Sequence, residues 1–181
     1  MGEVFSGFPS VMIDNYSGMY KMVEHLVRDH GYKNVCFIKG LENNDEMNER
    51  FAAYMDVCKE YGISCDASRI FQGDCSPMSG RLAVRAFCDK LKQKCDAIMA
   101  ATDDMILGAY SELSARRIRI PEEIAVAGFD DLRTLRECRP SISSVRQPFD
   151  EQISCAMGIV IDMIAGKKVD DTTVLPAKPV M

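Results

Sequence analysis

The chain has 181 residues, a formal net charge of −5, 47% hydrophobic residues and 27% charged residues. A length of this order suits one domain or two small lobes, and such a chain buries about 70% of its unfolded surface, so neither disulfides nor a metal is needed for folding. The acidic balance argues against a free-standing nucleic-acid binder, whose mark is a basic patch, and no run approaches the roughly 18 apolar residues of a membrane span.

Short apolar runs alternate with helical periods along the chain. Residues 10–13 (SVMI) read as a short strand. Ser17 then caps a helix with Met19, Met22, Val23, Leu26 and Val27 on one face, which Gly31 ends. A second apolar run, 35–38 (VCFI), closes at Gly40. A polar loop over 42–48 leads to a helix opened by Arg50, with Phe51, Tyr54, Met55 and Cys58 inward and Gly62 at its stop. Residues 69–72 read as a strand. Ser76 and Pro77 look like an N-cap followed by proline at the first helical position, and Met78, Leu82, Ala86 and Phe87 share the inward face that follows. Residues 97–100 (AIMA) form the next strand, and Thr102 opens a helix with Met105, Ile106, Ala109, Tyr110 and Leu113 inward. A strand over 124–127 ends at Gly128. Residues 133–144 are polar, hold Pro140 and read as a long connection. A last helix follows Pro148, with Phe149, Ile153, Met157, Ile161 and Ile164 on one side and Gly166 at its end. Residues 172–175 form a short extended tail before Pro176.

Strands without polar interruptions imply a parallel sheet buried on both faces. Their alternation with helices implies right-handed βαβ units and a doubly wound α/β fold.

Eight cysteines are present, none in a C-x-x-C pair and none with histidine at zinc-ligand spacing. Several fall at apolar positions, where a free thiol acts as a small hydrophobe. The chain reads as a reduced, cytoplasmic protein. Its two histidines, His25 and His30, fall in the first helix with no nucleophile beside them.

Ligands of doubly wound sheets bind outside the carboxyl ends of the strands. The polar residues there are Asp14, Asn15, Asp74, Thr102, Asp103, Asp104, Asp130 and Asp131, with Arg50 as the cation. Carboxylates accept hydroxyl hydrogen bonds and arginine donates a planar fork, so such a rim suits a small polar ligand. Each residue also has a plainer reading. Thr102, Asp103 and Asp104 stand where a helix start favours a cap and carboxylates, Asp130 and Asp131 where a turn follows a glycine, and Arg50 where it could pair with a neighbouring glutamate. No G-x-S-x-G elbow, phosphate loop or G-x-G-x-x-G is present. The residues point to a binding module rather than an enzyme, with no cofactor and no metal. The alternative is a phosphoacceptor or Mg-dependent α/β domain built on Asp103, Asp104 and Asp130.

Several motifs occur together in a familiar order. Residues 11–15 (VMIDN) with Gly18 are similar to V-x-x-D-N-x-x-G, and 24–27 with 30–32 to H-L-I-x-x-G-H. Residues 37–40 followed by 50–54 resemble F-I-x-G…R-x-x-G-F, and 101–105 resemble A-x-N-D-x-M. The long run 118–131 (IRIPEEIAVAGFDD) resembles G-I-x-I-P-E-D-I-A-V-x-G-F-D-D, 143–148 resemble L-T-T-V-x-Q-P, and Leu175-Pro176 a closing L-P. On these residues the chain resembles the effector-binding domain of the lactose-repressor (LacI/GalR) family.

The resemblance implies a type I periplasmic-binding-protein-like fold, with residues 1–147 forming the C-terminal lobe behind a short leading segment. Residues 148–166 would be a helix that packs on a further, N-terminal lobe, and 167–181 a returning tail. The helix-turn-helix, the hinge and the first half of that lobe have no counterpart in the sequence, which implies a truncated form. Family positions that touch the effector fall on Arg50, Cys75, Thr102, Asp130 and Gln147. Thr102 replaces the usual asparagine, Cys75 an aromatic that stacks on the ligand, and Ala53 a glycine. The implied function is sensing of a small polar, sugar-like effector in an interlobe cleft, for a transcriptional regulator or a related signalling protein. The implied partners are that effector, a second copy in a homodimer, and DNA only through a domain outside this chain. No membrane is implied.

Overall fold

The structure, a computed structural model, describes residues 8–90 and 95–181. The elements are β1 (Ser10–Asp14), α1 (Asn15–Glu24), β2 (Val35–Lys39), α2 (Asp45–Glu60), β3 (Ile70–Gln72), α3 (Pro77–Lys90) and β4 (Ala97–Ala100). They continue with α4 (Asp103–Ala115), β5 (Ala125–Asp130), α5 (Arg133–Glu137), β6 (Ser143–Arg146), α6 (Phe149–Ile164), β7 (Thr172–Pro176) and β8 (Lys178–Val180).

Six strands form one sheet in the order β3-β2-β4-β5-β6-β8. The pairs from β3 to β6 are parallel, and β8 closes the edge antiparallel. This is the expected doubly wound α/β class. The reason lies in the central strands: the apolar residues of β2 and β4 are all buried, because helices cover both sheet faces. The path from β2 to β3 runs one way across the sheet and that from β4 to β5 the other. Right-handed crossovers therefore put α2, with α1 against it, on one face and the packed pair α3 and α4 on the other. The reversal falls between β2 and β4, where sheets of this kind leave a crevice at the strand ends.

The α3–α4 contact is close because it is built on glycine. A Cβ on Gly80 would lie 1.9 Å from the Met105 carbonyl oxygen, and one on Gly108 would lie 1.8 Å from that of Pro77. The inward face of α3 is consequently Ser79, Gly80, Ala83, Val84 and Phe87, while Met78 and Leu82 are exposed. This corrects the apolar face expected there, since small residues win where two backbones approach.

Other boundaries move for local reasons. The N-cap of α1 is Asp14, whose Oδ1 accepts the Ser17 N–H at 2.9 Å, so Ser17 lies inside the helix. Asn44 caps α2 by accepting the Met47 N–H at 3.0 Å, which places Arg50 in the second turn rather than at the start. β5 runs past Gly128 to Asp130. The expected long connection over 133–144 holds α5 and the first residues of β6.

β1 pairs in parallel with β7, Ser10 opposite Thr172, apart from the large sheet. α6 lies over β1, and Gln152 Nε2 donates to the Val11 carbonyl at 3.1 Å. No residue of α6 is buried, and Ile153 and Ile161 are 63% and 60% exposed. Among the described residues no helix is long and apolar enough to cross a membrane.

Candidate functional site

The rim at the carboxyl ends of β2, β4 and β5 is organised by a buried cation. Arg50, in the second turn of α2, is 1% exposed. Its Nε donates to Asn15 Oδ1 at 2.9 Å and its Nη1 to the Ala101 carbonyl at 2.7 Å. Nη1 also lies 3.5 Å from Asp130 Oδ1, and the guanidinium sits 3.7 Å above the Phe129 ring. Burial of a charge is tolerated only where its donors are met, and here an amide, a carbonyl, a carboxylate and an aromatic face meet them. Burial pulls the Arg50 pKa below its ordinary value, opposed by the Asp130 charge. The same burial pushes the Asp130 carboxyl up, opposed by Arg50.

Asp130 ends β5 at a φ of +125°, and Asp131 follows at +57°. Cys75, after β3, has a φ of +66°. Non-glycine residues in this region cost about 1–3 kcal/mol each and cluster at ligand sites. The surroundings hold both aspartates in place. Gln147, just past β6, donates through Nε2 to Asp130 Oδ1. Asp131 binds Arg136 and Arg146, and its backbone N–H donates to Ser144 Oγ at 3.0 Å. Burial works against the Asp131 charge, yet the two arginines hold its pKa below the ordinary value.

Beneath this segment lies Asp103, the first residue of α4 and fully buried. Its Oδ2 accepts the Leu132 N–H at 2.8 Å and its Oδ1 the Ser144 hydroxyl at 2.7 Å. Desolvation raises its pKa to about 7, although both hydrogen bonds favour the charged form. Gly128 is the other half of the fit, since a Cβ there would lie 2.1 Å from Asp103 Oδ1.

The five residues named from sequence fall at one end of the sheet. Arg50, Asp130 and Gln147 form a connected chain of contacts. Thr102 is 8% exposed, adjoins the Ala101 carbonyl that Arg50 holds, and has a buried Oγ1 with no hydrogen-bond partner among the described residues. Cys75 packs over Gly40 and lies near Arg50. Gln147 borders two hollows. One, about 460 Å³, contains Asp130, Asp131, Arg136 and Arg146; the other, about 360 Å³, contains Asn15, Glu46 and Gln152. A third, about 640 Å³, lies against α6 and is lined by apolar side chains such as Phe8, Ile153 and Val160, with no charged group.

Sequence reading leaves out the supporting residues Ser144 and Arg146, because nothing in a Ser-Ser-Val-Arg strand signals its neighbours across the sheet, and Phe129, whose ring reads as core rather than as a face for a cation. The acidic trio proposed for Mg²⁺ does not assemble. Asp103 is buried and bonded inward, Asp104 is exposed, and Asp130 faces Arg50. Among the described residues no three His, Cys, Asp or Glu side chains converge as a metal site.

Residues 23–181 match the family model described as a periplasmic binding protein-like domain. The HTH-type transcriptional regulator AscG of Escherichia coli (strain K12) is 31% identical over 157 residues, 87% of this chain and 46% of AscG. A sugar-binding transcriptional regulator of the LacI family from Escherichia coli, solved with phosphate, superposes with a TM-score of 0.87 at 29% identity. That match covers 94% of this chain and 61% of the other. The transcriptional regulator CelR in complex with cellobiose superposes with a TM-score of 0.86 at 27% identity, covering 96% and 53%. The chain spans about half the length of the curated relatives it matches.

Proposed function

The chain belongs to the periplasmic-binding-protein-like domain family of LacI-type regulators, and from that membership we propose that it senses a small polar, sugar-like effector at the carboxyl-end rim of its sheet. The observation that carries this reading is the Arg50–Asp130 pair, a buried guanidinium fixing a carboxylate on a strained backbone at the carboxyl end of β5. A preset carboxylate accepts from vicinal hydroxyls without first paying to be ordered. In this reading Asp130 and Gln147 touch the effector, Arg50 and Thr102 support it from below, and Cys75 closes the side next to β3. The known relative bound to cellobiose supports the sugar class.

The unburied face of α6, with residues 148–166, is proposed to meet a second lobe in the whole protein, with residues 1–147 as the C-terminal lobe and 167–181 returning beside it. The whole protein is proposed to act on DNA as a cytoplasmic homodimer, through a separate domain, and not as an enzyme. A thermal-shift panel of mono- and disaccharides tests the sensing role. At least one should raise the melting temperature of the native chain and fail to do so in Asp130→Asn. A panel with no response, or an equal response in the variant, contradicts the reading.

A further inference from the structure

The chain has two histidines, and the backbone turns them toward each other. After α1 the helix widens into a single π turn, His25–Asp29, closed by the His30 N–H donating to the His25 carbonyl at 3.4 Å. On an α-helix, positions five apart point well away from each other, at about 100° per residue. The wider π turn, a form found often at functional sites, brings residue 30 back over residue 25.

The two Nε2 atoms are 3.0 Å apart, and the ring centroids are 4.6 Å apart with planes at 89°. The centroids are farther apart than the nitrogens, so each ring directs its Nε2 toward the other. His25 Nδ1 lies 2.8 Å from Asp29 Oδ2. Donation to that carboxylate fixes the Nδ1–H tautomer and leaves the Nε2 lone pair facing His30. Asp29 is itself held by Arg28 Nε at 2.7 Å, and the His30 ring stacks on Tyr32 at 5.6 Å.

We propose that His25 and His30 bind one divalent transition-metal ion through their two Nε2 atoms, with Asp29 as the outer carboxylate that orients His25. The ligand type sets the class, since imidazole suits zinc, copper, iron and nickel. At imidazole–metal bonds of about 2.0–2.1 Å, a right angle between ligands separates the nitrogens by about 2.9 Å, and a tetrahedral angle by about 3.3 Å. The observed 3.0 Å is the Nε2–H···Nε2 hydrogen-bond distance of the metal-free pair, and it leaves the two nitrogens close enough for one ion to bridge them with little movement. His30 is exposed and the His25 side chain 25% exposed, so water reaches the pair. No third His, Cys, Asp or Glu converges there among the described residues, so water fills the remaining positions. Without metal, one Nε2–H lies between the rings. On binding, the proton between the rings moves to His30 Nδ1, so that both Nε2 atoms present a lone pair to the ion. None of the effector-rim residues takes part, so this site stands or falls separately from the sensing role.

Nickel(II) titration of the 181-residue chain, followed by calorimetry and by the NMR signals of the imidazole rings, tests the site. With only two histidines the ring signals are unambiguous, and they separate imidazole binding from binding at thiols. One ion per chain should bind, broadening both rings together. His25→Gln and His30→Gln should each weaken binding at least tenfold, and Asp29→Asn should weaken it about tenfold. His30 is exposed, so His30→Gln decides the matter even if His25→Gln fails to fold. Binding that leaves either ring sharp, or an unchanged affinity in His30→Gln, overturns the proposal.

Discussion

The buried carboxylate of Asp103 accepts the backbone N–H of Leu132 at 2.8 Å, so the segment carrying Asp130 and Asp131 hangs from the first turn of α4. Its other oxygen reaches the same segment through Ser144, whose Oγ accepts the Asp131 N–H. Asp130 owes its position to this relay as much as to Arg50.

The relay has a pH signature. Burial raises the Asp103 pKa from 3.8 to about 7. The folded state therefore binds the proton more tightly than the unfolded chain, and the associated stability is complete below about pH 4 and lost as pH rises through about 7. Asp103→Asn removes that dependence. Urea unfolding at pH 5 and pH 8 should show a larger loss of stability on going to pH 8 for the native chain than for the variant. Equal losses would mean that Asp103 ionises normally.

Gly128 and Asp103 occupy one space. In Gly128→Ala the new Cβ must displace the Asp103 carboxylate, and overpacking of this kind costs about 1–3 kcal/mol. Asp103→Ala alone leaves the Leu132 N–H and the Ser144 hydroxyl without their acceptor, at a similar cost. The two changes should be strongly non-additive, since removing the carboxylate makes room for the methyl. A double-mutant cycle by urea denaturation measures this, and simple additivity would contradict the contact.

The sequence makes the sheet centre legible and its margin obscure. β2, β4 and β5 are apolar runs that parallel strands buried on both faces demand. β6 has the sequence Ser-Ser-Val-Arg, with no such run, and gains its place by pairing with β5. The face of α3 is misread because the helix packs through Gly80, while Met78 and Leu82 turn outward. The rim residues are legible because they follow strand ends. The depth of Arg50 is not, since its partners Asn15, Ala101 and Asp130 lie 35 to 80 positions away in the chain. The His25–His30 pair is hidden by α-helical periodicity and revealed by the π turn.

Arg50 is a structural residue as well as a rim residue. Arg50→Ala strips partners from Asn15, the Ala101 carbonyl and Asp130, and breaking a buried ion pair costs about 3–5 kcal/mol. A urea midpoint within experimental error of the native value would show that the guanidinium is not integral to the fold. Arg50→Lys should recover only part of the loss, because an ammonium lacks the planar fork.

The outward face of α6 should drive association. Phe149, Ile153, Met157, Ile161 and Ile164 are between 51% and 82% exposed on one helix, more apolar surface than soluble monomers usually leave open. Light scattering should show a mass that rises with concentration, and Ile153→Lys with Ile161→Lys should return it toward the monomer. A concentration-independent monomer in the native chain would contradict this.

The central claim is that the effector meets Asp130 and Gln147 at the carboxyl-end rim. Chemical-shift mapping of the chain during titration with the saccharide that gives the largest thermal shift tests it most directly, because weak binding is still resolved by residue. The account predicts shifts concentrated at the Gln147 side-chain amide and at the backbone amides of Thr102, Asp130 and Asp131. Shifts confined to the apolar hollow beside Ile153 and Val160, with the rim unmoved, would contradict it.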